Sequence, residues 1–170
     1  MELTVWPAEE FETQAISELV GRSFLAHGSA GWTDAAIQTF LQESSPGSLA
    51  GKLLSASVAL VVHSSSGPVG FALMPRPSSL SMLFVEPNYQ RRGVGRALWL
   101  ACLSSARAAA SDLGAISLNS TAFAVPFYES VGFVAQGPEF EHGGCRATRM
   151  LLQLAGTGTM SFGPSIDRTA

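Results

Sequence analysis

Tyr89 to Leu98 reads YQRRGVGRAL, in which Arg91, Arg92 and Arg96 crowd Gly93 and Gly95 at the start of an apolar, helix-like run. Cations at a helix N-terminus oppose the macrodipole, by about 0.3–1 kcal/mol each when exposed. The first N–H groups of a helix also have no intrahelical acceptor, and glycine lets a ligand approach the backbone closely. The segment therefore has two readings: a solvated basic turn, or a site where a phosphate-like anion resolves the charge conflict. Missing residues narrow the second reading. No lysine stands in the turn, so the GxxxxGK[ST] triphosphate loop is absent. Leu98 occupies the place of the third glycine of a dinucleotide fingerprint, and Asp112 precedes the next strand instead of ending it.

These residues need elements to hold them. Leu3 to Trp6 predicts a short first strand, stopped at Pro7, and Phe11, Ala15, Leu19 and Val20 mark an amphipathic helix over 8–22. Gly28 to Gly31 reads as a loop, and Thr33 or Asp34 caps a second helix that ends before SSPGS. Strands follow at 57–63 and 69–74, joined by the SSSGP turn, and at 80–85, where Leu80, Met82 and Phe84 share one face. The longest helix runs over 93–110, with a small-residue stripe at Val94, Ala97, Leu98, Ala101, Cys102 and Ser105 and an apolar far side at Trp99, Leu100 and Leu103. A strand at 115–118 leads to AVPFYESVGF, Ala124 to Phe133, a short helix with Pro126 in its first turn and Gly132 as C-cap. Segments 133–140 and 147–154 predict a closing antiparallel pair. The result is one mixed α/β domain over 1–155, followed by a Gly/Ser/Thr-rich stretch, 156–170, expected to be a flexible tail.

Bulk composition sets limits. With 46% hydrophobic and 14% charged residues, the chain is core-rich and not of the disordered class. A formal charge of −3 gives no electrostatic footprint for nucleic acid or an anionic membrane. No apolar stretch is long enough to span a bilayer, and the acidic start MELTVWPAEEFE lacks the basic region of a signal peptide, so a cytoplasmic protein is expected. Cys102 and Cys145 are too few for a zinc site or a disulfide scaffold, so no metal is expected.

Gln90 to Ala97 resembles the acyl-CoA signature [QR]-x-x-G-x-[GA] of the GNAT N-acetyltransferase superfamily, and Ala124 to Phe133 is similar to that family's A-x-x-F-Y-E-x-x-G-F segment. The two stand about 30 residues apart with one strand between them, and the resemblance covers residues 2 to 154. It implies a mostly antiparallel central sheet of about seven strands flanked by about four helices, with a splayed strand pair that holds acetyl-CoA as cosubstrate. By the same resemblance, Phe84 and Val85 offer backbone hydrogen bonds to pantetheine. Arg91, Arg92, Gly93, Val94, Gly95 and Arg96 cradle the pyrophosphate, with Ala97 in the first helical turn, and Asn119 and Thr121 contact the cofactor from the next strand. Relatives commonly carry asparagine where Thr121 stands.

Tyr128 matches the tyrosine that donates a proton or hydrogen bond to the departing thiolate. The reaction implied is direct transfer to a primary amine on a small molecule, peptide or protein; a catalytically silent acyl-CoA sensor is the alternative. The alternative stands because SSLSMLF, before the glycine turn, lacks the glutamate base of many relatives. Glu86 is the nearest acid, His63 ends an apolar strand, and His27 and Trp32 lie in the loop where relatives recognise the acceptor. Many relatives form homodimers, and nothing in the chain opposes one.

Overall fold

The computed structural model describes residues 4–155; the expected tail over 156–170 lies outside the described residues. In chain order the elements are β1 (Val5–Pro7), α1 (Thr13–Ser23), α2 (Asp34–Glu43), α3 (Pro46–Ser55), β2 (Val58–Ser64), β3 (Gly67–Met74), β4 (Met82–Val85), α4 (Val94–Ala109), β5 (Ala115–Ser120), α5 (Val125–Ser130), β6 (Val134–Ala135), β7 (Phe140–His142) and β8 (Cys145–Gln153). This is the mixed, antiparallel architecture expected, with two differences among the described residues. Five α-helices are present in place of about four, and eight strands in place of about seven. The extra helix, α3, begins with Pro46 in its first turn, where the missing N–H costs nothing. The extra strand arises because segment 133–140 breaks into β6 and β7, both paired with β8.

The splayed pair divides the strands into two sheets, β1-β2-β3-β4 and β5-β8-β6 with β7 paired to β8. Pro7 is part of β1, an edge position where a residue without an N–H is tolerated. The first sheet is packed on both faces. Ile16, Leu19 and Val20 of α1 cover Phe71, Leu73 and Met82 on one side. On the other, Val94, Leu98, Trp99, Cys102 and Ala106 of α4 cover Val62, Ala72 and Val85. The buried stripe of α4 thus takes in Trp99 and Ala106, while Leu100 is exposed; Leu80 likewise joins the core on the α4 side, away from Met82.

Gly70 on β3 explains how closely α4 lies. A Cβ there would stand 2.7 Å from Val94 Cγ1 and 2.8 Å from Leu98 Cδ1. Gly70→Val therefore overpacks the helix–sheet contact, with an expected loss of about 1–3 kcal/mol, read as a lower urea midpoint at unchanged m-value.

Candidate active site

The two sheets are tied at one place and open beyond it. Ser117 N–H donates to Ser78 O at 2.9 Å, and Leu80 N–H donates to Ser117 O at 3.1 Å. One step further along β4, Leu73 faces Met82 in the ladder and also accepts from Ser81 N–H at 3.0 Å, two residues against one. Such a bulge adds local twist, and after it β4 and β5 share no ladder. The gap is a cleft of about 550 Å³.

Strand alternation decides which backbone groups face the cleft. Glu86 N–H bonds Val69 O at 2.9 Å, so with Phe84 opposite Phe71, Phe84 turns its N–H and C=O into the β3 ladder. Leu83 and Val85 therefore present theirs to the cleft, and Val85 O accepts from the Gln90 side chain at 3.2 Å. The backbone groups of Phe84, expected to face a cofactor, point into the β3 ladder instead; its ring lies 5.9 Å from Phe40 and its residue still lines the cleft. On β5, Ser117 faces β4, so Asn119 does too, two residues along the strand. Asn119 lies inside β5 and Thr121 just past it; both line the cleft.

The basic turn closes one end. Arg91 has φ 61° and Gly93 has φ 86°, left-handed conformations that fold the chain sharply into α4. Ala97 N–H is the first in the helix to find an intrahelical partner, Gly93 O at 2.9 Å. The N–H groups of Gly93, Val94, Gly95 and Arg96 are the orphan donors of the helix start, whereas Ala97 has none to offer. Arg91, Gly93, Gly95 and Arg96 line the cleft. Arg92 instead stacks over the Tyr89 ring, 5.4 Å from its centroid. Gly95 is closely fitted: a Cβ there would meet the Phe127 ring at 3.4 Å and Val85 Cγ2 at 3.6 Å.

Tyr128 sits on α5, buried, its ring 5.2 Å from Phe127 and 5.6 Å from Phe133. Burial raises the phenol above its ordinary pKa, with a smaller contribution from Cys102, so the hydroxyl keeps its proton throughout the neutral range. Burial also pushes the Cys102 thiol up to about 12, leaving it a core residue and no nucleophile.

The remaining sequence candidates separate. His27 lines the cleft, stacked on Phe123 with centroids 4.2 Å apart and planes 7° from parallel. Trp32 does not line it. Its indole N–H donates to Arg146 O at 3.1 Å, and Thr33 N–H donates to Gly144 O at 2.9 Å, so Trp32 pins the β7–β8 hairpin to the loop after α1. His63 pairs with Glu12 at the far end of β2, away from the cleft.

Glu86 is also outside the lining, and Arg22 clasps its carboxylate with Nε and Nη2 at 3.1 and 2.9 Å from Oε2. That hydrogen bond, above all, raises the Arg22 pKa, so the guanidinium stays charged. Held this way, the carboxylate ties α1 to the end of β4 and lies off the cleft wall. Glu86→Gln is expected to change turnover by less than about threefold and stability by less than about 1 kcal/mol, as checked by thiol release and a urea midpoint. Sequence reading missed Leu83, Ser81, His27's partner Phe123 and Phe127; period-2 alternation signals the first, while the others depend on the bulge and on α5 meeting α4.

Residues 29–154 match the family model described as the acetyltransferase (GNAT) domain. The chain belongs to the GNAT family. Solved structures agree on the fold. A GCN5-related N-acetyltransferase from Rhodopseudomonas palustris is 20% identical, with TM-score 0.77, over 91% of this chain and 97% of that one. The PaiA N-acetyltransferase of Thermoplasma acidophilum, in complex with coenzyme A, is 14% identical, with TM-score 0.75, over 91% and 100%. YncA of Salmonella typhimurium, with its cofactor acetyl-CoA, is 20% identical, with TM-score 0.67, over 98% and 100%. No curated protein matches the chain significantly in sequence. In this GNAT domain no helix among the described residues is long and apolar enough to cross a membrane, and the described residues contain no group of side chains fit to hold a metal.

Proposed function

We propose that this GNAT protein is an acetyl-CoA-dependent N-acetyltransferase that passes the acetyl group directly to a primary amine in the cytoplasm. One observation carries the reading: two strands tied at Ser78–Leu80 and Ser117 diverge into a cleft that ends on unpaired helix N–H groups and includes a buried tyrosine. The fit to acyl-CoA is chemical at each end. The N–H groups of Gly93, Val94, Gly95 and Arg96, with the Arg91 and Arg96 side chains, suit a diphosphate. The N–H and C=O groups of Leu83 and Asn119 and the N–H of Val85 suit the amides of a pantetheine arm.

Bound acetyl-CoA supplies a thioester, with an electrophilic carbonyl carbon and a thiolate leaving group. The protein's part is to hold and to move protons. Tyr128, kept protonated by burial, donates to the thiolate as charge develops there, an interaction absent from the ground state. Among the described residues His27 is the one imidazole or carboxylate on the cleft wall, and it takes up the proton of the incoming ammonium directly or through water. That no aspartate or glutamate among the described residues lies on that wall favours a second reading, a silent acyl-CoA sensor.

Free-thiol release from acetyl-CoA with a broad panel of primary amines separates the two. Amine-dependent release with a matching acetylamide product is the expected result. Tight acetyl-CoA binding without release on any amine would establish the sensor.

A further inference from the structure

The cleft runs between β4 and β5, so it connects the face of the first sheet covered by α4 with the face covered by α1. Its α4 end is the basic cradle, with Arg91 and Arg96. Its α1 end is a different environment: Ser23 and Gly28 on one wall, and the His27–Phe123 stack spanning from the π-helical segment Phe24–Gly28 that continues α1 to the loop before α5. Phe84 faces this end, within the same aromatic cluster as Phe24 and Phe40. Phe123 is 54% exposed, a large ring left open on the side where no part of the cradle lies.

Charge is as informative as shape here. Among the described residues no carboxylate lines the cleft, and Glu86, at the end of β4, is neutralised by its two-point bond to Arg22. The reacting amine must lose its proton to attack, so it needs no permanent anionic partner. A second ammonium on the same acceptor would need one. Among the described residues the wall of the cleft offers it none. An aromatic body, by contrast, finds the open faces and edges of Phe123 and Phe84.

From this wall we infer that the acceptor is a small monoamine with an aromatic body, seated between the His27–Phe123 stack and Phe84, and not a polyamine. The inference rests on the N-acetyltransferase reading and narrows it to a substrate class. It assigns Phe123 as a specificity-determining residue.

Three amines test it on the full chain saturated with coenzyme A or acetyl-CoA: phenylethylamine, butylamine and putrescine. Dissociation constants are measured by titration calorimetry in the presence of coenzyme A, and kcat/KM by thiol release. Phenylethylamine should lead butylamine by about tenfold in both, the size of one good aromatic contact, with putrescine the weakest. In Phe123→Ala the ratio of phenylethylamine to butylamine should fall to about one. That internal ratio is blind to a general loss of folding or of cofactor affinity. Putrescine equal to or better than butylamine, or a ratio unmoved in Phe123→Ala, would overturn the inference. If no amine releases thiol while the binding order holds, the transferase reading fails and the binding preference stands.

Discussion

Tyr128→Phe is expected to lower kcat by about 10²–10⁴-fold, the usual worth of a positioned general acid, and to leave KM for the amine and the acetyl-CoA dissociation constant within about threefold. The split follows from where the hydroxyl acts. The Tyr128 ring packs on Phe127 and Phe133 and survives the substitution, so the cleft keeps its shape. Only the proton is lost, and it matters when the sulfur becomes anionic. The pH dependence has a definite sign. Burial disfavours the phenolate and raises the folded-state pKa above the ordinary tyrosine value of about 10. Wild-type turnover should therefore show no alkaline fall from this group below about pH 10. Linkage gives a matching stability signature. The neutral phenol's contribution is fully present below the unfolded pKa and is lost as pH rises toward the folded one. Above about pH 10 the wild type should lose stability faster than Tyr128→Phe, as followed by denaturant midpoints.

Gly95→Asp is expected to weaken acetyl-CoA binding by at least about 100-fold without unfolding the protein, an opposition that few substitutions offer. Gly95 is the second residue of α4, where a carboxylate complements the macrodipole by about 0.3–1 kcal/mol and alanine-like geometry replaces glycine. The new Cβ meets Phe127 at 3.4 Å, a contact that requires only a small shift of that ring. The same charge is ruinous for a diphosphate at this helix start: two like charges about 4 Å apart near a surface repel by up to about 4 kcal/mol. Titration calorimetry with acetyl-CoA, beside a thermal melt of the free protein, reads both effects. A variant that melts like the wild type and still binds acetyl-CoA normally would remove the cradle from α4.

The cradle and α5 were legible in the chain because their signals are local. Gly93 takes a left-handed φ, Gly132 does the same past α5 at φ 101°, and Pro126 sits in the first turn, each as its residue type demands. What stayed hidden depends on partners distant in sequence. Pro46, Gly47 and Gly51 leave 46–56 without a helical signal, and it is Leu49, fully buried in one cluster with Ile16 and Leu19, that holds α3 as a helix. The bulge at Ser81 and Met82 leaves no mark in SSLSMLF, yet it opens the cleft and turns the backbone groups of Leu83, not those of Phe84, toward it. Trp32 carries the composition of a pocket residue, and only the register of the β7–β8 hairpin shows it to be a pin. Glu86 has the right chemistry for a base and is disqualified by Arg22, 64 positions away in the chain.

The central claim is that the split between β4 and β5 is an acyl-CoA site, and thermal shift with three ligands tests it most directly. At about a hundred times its dissociation constant, acetyl-CoA should stabilise the protein by about 2.7 kcal/mol and raise Tm by about 5–10 °C. ATP and NAD at the same concentration should leave Tm within about one degree, because this turn has neither the lysine of a triphosphate loop nor a third glycine for a dinucleotide. A Tm unmoved by acetyl-CoA, or moved as far by ATP or NAD, would contradict it.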